Sequence, residues 1–304
     1  MELISKGCVL ENYFDPENKK IYVMPDNITE IKAYAFNNCK NLEEVILPEG
    51  LKIIGECAFM NCINLKKINI PDSVRSIKTY AFAGCRQLTQ LHIPDGITVI
   101  EKNLCEASGV HSIYFPDSVK VIKERAFYRC GSVTEISIPE TIQRIEFLGF
   151  GWWNDAELII RRKTKNVRLC LNVPIRGHIM EDHLADFIEN PCYEHFILLK
   201  PEYKVLLAVG YDDLNDQVNG YFRTYLKRSI RKAVSIAVDR NDVELLTSLL
   251  NTGFVTKKNI DFLIQYAINH TQKSCNPECQ IMLTEYKNQH FPSSVDDISK
   301  RLRL

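Results

Sequence analysis

Six prolines set the frame of this chain. Pro25, Pro48, Pro71, Pro94, Pro116 and Pro139 follow one another at steps of 23, 23, 23, 22 and 23 residues, each closing a short apolar run. A fixed period in that range belongs to a solenoid, because so small a unit cannot bury its own apolar face and must lay it against the next. One unit runs through Val74 and Ile77 to Ala81-Phe82, then Cys85, Leu88 and Leu91-His92-Ile93-Pro94. The Ala-Phe pair recurs at Ala35-Phe36, Ala58-Phe59 and Ala126-Phe127, and a cysteine three residues after the Phe recurs at Cys39, Cys62 and Cys130. The fourth unit departs: Leu104-Cys105 stands in the Ala-Phe slot and Ser108 in the cysteine slot, and one residue is lost before Val110. That loss accounts for the single step of 22. The sixth unit carries Gly149-Phe150 and Trp153 in those slots.

The Ala-Phe, Cys, Leu and Ile-x-Ile-Pro positions together resemble the BspA-type leucine-rich repeat over six units. The resemblance implies an α+β repeat protein: a right-handed leucine-rich repeat solenoid with a parallel β-sheet on one face and irregular or short helical segments opposite. It also implies an interaction protein, of a kind often found on cell surfaces. Residues 1–24 are expected to form an N-terminal cap hairpin, with 8–14 and 20–24 flanking a turn at 15–18. The solenoid takes 25–163, and 164–200 form a transition and C-terminal cap in which 167–173 alternate like a further, non-repeat strand. Trp152 and Trp153 are expected to cover the exposed end of the core.

From 201 to 291 the period becomes helical, and 292–304 read as a polar, basic, flexible tail. Residues 221–239 place Phe222, Leu226, Ile230, Ala233, Val234 and Ala237 on one side of a helix. Residues 241–253 have a helix cap, an apolar run and a glycine stop. Further helices are expected over 260–269 and 277–286. Paired in this way they resemble degenerate ankyrin repeats, although the threonine-proline-leucine-histidine turn of that family is absent.

Charge is balanced, with 38 Lys and Arg against 38 Asp and Glu, which disfavours nucleic acid as the partner, since a polyanion needs a basic face. No basic-then-apolar leader opens the chain, and no apolar stretch is long enough to span a membrane. Eleven cysteines, an odd number in a long chain, point to reduced thiols and a cytoplasmic setting. A trimmed signal peptide would point instead to a surface adhesin of the BspA type.

Nothing reads as an active site: the nucleophile elbow, phosphate loop, dinucleotide fingerprint and zinc-protease motif are all absent. Neither a cofactor nor a metal is expected. The cysteine column reads as a reduced packing ladder, because stacked equivalent side chains point in parallel rather than towards each other. His270, Cys275, Cys279 and His290 are zinc-ligand types at loose spacing, better read as coincidence. Arg223, Lys227 and Arg231, with Arg228 and Lys232, make one helical face basic. That face reads as solvated and pairing with Asp212, Asp213 or Asp216, the alternative being a phosphate or nucleic-acid groove.

What remains is a binding surface. With Val45 and Leu47 facing the core, the residue between them faces out, and that column reads Ile46, Asn69, His92, Tyr114, Ser137 and Ile159. His111 lies in a flanking column. Asn69, His92, His111 and Tyr114 are the expected contacts for a protein or peptide partner.

Overall fold

The computed structural model describes residues 2–6, 8–14, 19–130, 133–146, 149, 156–163, 166–171, 184, 186–188, 190–192, 196, 199, 201–211, 216–274 and 277–292. The chain divides into two compact units, residues 1–199 and 200–304. In the first, the strands are β1 (Glu2–Lys6), β2 (Val9–Phe14), β3 (Ile21–Val23), β4 (Glu30–Ile31), β5 (Glu44–Ile46), β6 (Ile53–Ile54), β7 (Lys67–Asn69) and β8 (Ser76–Ile77). They continue as β9 (Val99–Ile100), β10 (Ser112–Tyr114), β11 (Val121–Ile122), β12 (Glu135–Pro139), β13 (Arg144–Ile145), β14 (Ala156–Arg161) and β15 (Val167–Leu171).

Three lines of hydrogen bonds join successive coils. The first follows the run before each proline: β3, β5 and β7 stack in parallel, as do β10, β12 and β14, and a lone bridge from Gln90 to Ser112 carries the fourth coil. Only the middle residue of a three-residue strand faces the core, here Tyr22, Val45, Ile68 and Ile113. The proline then opens a turn. Its fixed φ suits the bend and it has no N–H to leave unpaired. Its carbonyl accepts from the amide three residues on, at 3.0 Å for Leu51, Val74, Ile97 and Val119.

The second line runs through the two-residue strands, β2-β4-β6-β8 and β9-β11-β13, all parallel. The third passes through the Ala-Phe segment, where left-handed residues come in pairs four apart: Tyr34 and Asn38, Cys57 and Asn61, Tyr80 and Gly84, Asn103 and Ala107, Arg125 and Arg129. This turns alternate amides outward from the coil. Tyr34, Phe36 and Asn38 donate to the carbonyls of Glu56, Ala58 and Met60 at 2.8, 2.7 and 2.8 Å, while Ala35, Asn37 and Cys39 bond back within their own turn. A left-handed conformation costs a non-glycine residue about 1 kcal/mol, and the inter-coil bonds offset it. Among the described residues the side opposite the sheet carries two-residue strands and turns, and no helical segment. Backbone hydrogen bonds tie these strands and turns to neighbouring coils, and neither shows an alternating pattern in sequence.

The N-terminal hairpin also differs from the expectation. β2 pairs antiparallel with β1, whereas β3 pairs in parallel with β5. Residues 21–25 are the end of a first coil: Tyr22 takes the inward place of Val45, and Pro25 that of Pro48. The turn-rich stretch 15–18 suggested a hairpin between the wrong strands, but Tyr22 gains more by burial on Phe36, at 5.4 Å between ring centres, than in a solvated hairpin. At the other end β15 runs antiparallel along β14 and closes that edge. Phe150, Trp152 and Trp153 lie outside the described residues.

The core is a column. Phe36 stacks on Phe59 at 4.8 Å and Phe59 on Phe82 at 5.5 Å, with planes within 11° and 3° of parallel. Cys105 breaks the column in the fourth coil. There Phe115 takes the sheet position that Leu47, Ile70 and Ile93 hold elsewhere, and it meets Phe127 edge-on at 5.5 Å. The aromatic bulk missing from one side of the coil is supplied from another.

In the second unit the helices are α1 (Pro201–Gly210), α2 (Asp216–Arg240), α3 (Val243–Asn251), α4 (Ile260–Ser274) and α5 (Glu278–His290). The six apolar residues expected on one side of α2 are all buried. Asp242 caps α3 by accepting from the Leu245 amide at 2.8 Å, and Gly253 follows it at φ 72°. Two helical hairpins stack, α2 on α4 and α3 on α5, with α1 packed against α2 and α3.

Candidate functional site

The outward row of the first ladder starts one coil earlier than expected. Strand register places Val23 beside Ile46 and Ile46 beside Asn69. Val23 is 61% exposed, Ile46 45% and Tyr114 57%, and Asn69, His92 and His111 are exposed as well. Gln90 bridges Ser112 in parallel, which places His92 one strand spacing, about 5 Å, from Tyr114. His92 Nε2 lies 3.7 Å from Asp72 Oδ1. His111 stands in the adjoining column, where its carbonyl accepts from the Thr134 amide at 2.8 Å. Ile21 and Val23 were missed because their segment read as half of a hairpin. The visible signal was that Tyr22-Val23-Met24-Pro25 repeats Val45-Ile46-Leu47-Pro48 in type.

The row does not continue to the end. Ser137 and Ile159, expected to face solvent, are buried. Arg161 is the reason at Ser137. It stands opposite Pro139 in the ladder, and its side chain turns back along the coils. Nη1 donates to Ser137 Oγ at 2.7 Å, and Nη2 donates to the Phe115 carbonyl and to Asp117 Oδ1 at 3.2 Å. The guanidinium lies 4.0 Å from the centre of the Tyr114 ring. A planar cation on an aromatic face is worth about 1 kcal/mol, and here it holds Tyr114 in one orientation while leaving most of the ring exposed.

Paired charges rim this face. Glu43 sits between Lys20 and Lys66, 2.7 Å from each, and these partners hold its carboxyl down at about 2. Lys67 meets Glu44 at 2.9 Å.

The cysteines do more than fill space. Cys62, Cys85 and Cys130 donate their thiols to the carbonyls of Phe36, Phe59 and Cys105 at 3.0, 3.1 and 2.9 Å, bridging one coil to the previous one. A hydrogen bond with Cys39, then burial, raises the Cys62 thiol. Burial pushes Cys85 up to about 12 and Cys130 up to about 11. The nine cysteines whose side chains are described form no disulfide. A thiol reagent is therefore expected to react slowly at the ladder positions of the folded protein, and with all eleven cysteines after denaturation. Seven or fewer reactive thiols in the unfolded chain would exclude a reduced ladder.

In the helical unit, the residues singled out from sequence do not converge. Cys275 lies outside the described residues. His270 stacks on Tyr266 and lies 3.3 Å from Asp239, while His290 stacks on Tyr286. Among the described residues no group of three His, Cys, Asp or Glu is placed to hold a metal. On α2, Arg223 rests 5.2 Å from the Phe254 ring and Arg231 5.2 Å from that of Phe262, so both lie against aromatics of their own unit. Asp212, Asp213 and the Asp216 side chain are outside the described residues. A cleft of about 440 Å³ lies between α3 and α5, with Leu250, Met282, Tyr286 and His290 among its walls.

The repeat region matches the BspA type leucine rich repeat region, in six copies, over residues 9–131 and 98–167, together a little over half of the 304 residues. The chain belongs to that family. Members of this BspA-type repeat family are generally non-catalytic binding proteins. Solved structures of similar chains include the T. pallidum leucine rich repeat protein TpLRR, at 23% identity and TM-score 0.41, covering 49% of this chain and 77% of that one. A leucine-rich repeat protein from Bacteroides ovatus shares 24% identity at TM-score 0.38, covering 45% and 44%. The pneumococcal vaccine antigen PcpA shares 22% at 0.41, covering 51% and 44%. The chain thus spans under half the length of the latter two. No curated protein matches it. The BspA-type match begins at residue 9, where β2 starts. Among the described residues no helix is long and apolar enough to cross a membrane.

Proposed function

We propose that this chain is a non-enzymatic interaction scaffold that takes a protein or peptide on the outward row of its first ladder, through Asn69, His92, His111 and Tyr114. The observation that supports it most is Tyr114, a large aromatic more than half exposed yet held by Arg161 from beneath. An aromatic already fixed in orientation loses little freedom on binding, which is what makes such residues dominate interfaces. Paired charges on the rim favour a mixed protein surface over a polyanion. The basic face of α2 is a weaker candidate, since Arg223 and Arg231 are drawn onto Phe254 and Phe262.

A reducing compartment suits free cysteines that serve as inter-coil donors, and the stacked helical hairpins support an ankyrin-like second unit. The experiment for the main proposal is affinity capture from the host's lysate with the wild type and with His92→Ala/Tyr114→Ala. Loss of the captured partner from the variant, whose melting temperature stays unchanged, is the expected result. Equal recovery would remove the centre of the sheet from consideration, and capture abolished by moderate salt would favour nucleic acid instead.

A further inference from the structure

The chain closes the ends of its ladders unevenly. β1 covers β2 at the start of the second ladder, and β15 covers β14 at the end of the first. β3, the opening strand of the first ladder, pairs along one edge only among the described residues. The Lys20 carbonyl accepts from Glu43 and Glu44, and the Met24 amide donates to Ile46 at 2.9 Å. Strand groups alternate in direction, so the amides and carbonyls of Ile21 and Val23 point the other way, off the end of the ladder. The same two residues carry exposed apolar side chains, Ile21 at 54% and Val23 at 61%, with Ile46 at 45% beside Val23. Among the described residues nothing pairs with those groups, and an edge of this kind with apolar side chains is a template for another strand.

We infer that a second copy of this chain occupies it, by antiparallel pairing of β3 with β3 about a two-fold axis through Tyr22. The edge is self-complementary in that arrangement. Ile21 of one copy stands opposite Val23 of the other as a hydrogen-bonded pair, and the two-fold repeats the pair. All four outward-pointing groups of each copy are then used, in four bonds. Ile21 and Val23 side chains meet across the seam on both sides of the axis, the apolar cross-strand contact that stabilises sheets. Lys19 of one copy comes beside Pro25 and Asp26 of the other, bringing opposite charges together at both ends of the seam. The lysines before the strand do not block it, since Lys20 lies along the sheet, 2.7 Å from Glu43. Pro25 lies beyond the paired residues, where its missing N–H ends the seam without interrupting it. A three-residue seam is short, so the dimer is a transient one.

Val23→Pro in the full chain isolates the edge. The Val23 amide points away from β5, so proline removes a donor that the fold does not use, and edge strands tolerate proline there. Sedimentation velocity between about 1 μM and about 1 mM covers the range of a small, reversible interface. The wild type is expected to shift from monomer to dimer across that range, and V23P and Ile21→Lys to stay monomeric with unchanged far-UV circular dichroism and melting. A wild type that remains monomeric throughout would overturn the inference, as would a dimer that survives both substitutions. If the monomeric wild type instead takes up an unrelated extended peptide at this edge, the occupant is a foreign strand and the inference fails. None of these results bears on His92 and Tyr114, which lie further along the ladder.

Discussion

Gly109→Ala is expected to lower the melting temperature of the repeat unit by about 10 °C, corresponding to about 4 kcal/mol for a single added methyl group. The fourth coil is one residue short, and its chain makes up the difference by passing directly over the coil before it. A Cβ at Gly109 would overlap the Arg86 carbonyl oxygen and lie 2.9 Å from the Arg86 carbonyl carbon. Those are backbone atoms held in the stack, with the Gly109 amide itself bonded to the Cys85 carbonyl at 3.1 Å, so neither side can yield. Gly220→Ala supplies the control. It lies inside α2 with nothing within 4 Å of the added carbon. There the same change is expected to stabilise the protein, by about 0.5–1 kcal/mol, through helix propensity alone. Thermal melts of the two variants should move in opposite directions. Equal melts for G109A and the wild type would mean that the short coil closes in some other way.

Phe59→Ala is expected to cost about 4 kcal/mol. Its ring is fully buried with a parallel ring on each side, Phe36 at 4.8 Å and Phe82 at 5.5 Å. Alanine leaves a cavity in mid-column that the coils cannot collapse into, because backbone hydrogen bonds between the coils set their separation. Phe59→Leu keeps most of the volume and should cost about 1.5 kcal/mol. Denaturant titrations measure both. A Phe59→Ala cost close to that of leucine would show that the column relaxes, contrary to the rigidity argued from the ladders.

Some residues of this chain play two parts, and the sequence shows only one of them. The Ala-Phe and Cys columns were legible as packing, because burial imposes a period and a period survives in sequence. That the cysteines also donate to carbonyls of the previous coil was not legible, since the thiol's partner is a backbone atom about 26 residues earlier. The left-handed positions carried a partial sign in Asn38, Asn61 and Gly84, but Tyr34, Cys57 and Arg125 adopt the same conformation without one. Neighbouring coils force it on them.

The candidate site divides the same way. Alternation about the buried Val45 was enough to name Asn69, His92 and Tyr114 as outward-facing. It failed at Ser137 and Ile159, which are buried. At Ser137 the cover comes from Arg161, and nothing in an alternating pattern says where a long side chain from a later coil will lie. Sequence alone determined the coil length, the buried column, the weak fourth unit and the change to helices, all consequences of local pattern and volume. Tertiary structure alone decided which strands pair at the N-terminus, how Arg161 meets Tyr114, and that among the described residues β3 pairs along one edge only. Those depend on backbone groups and side chains brought together from distant positions, and hydrogen-bond direction leaves no periodic trace in the order of residues.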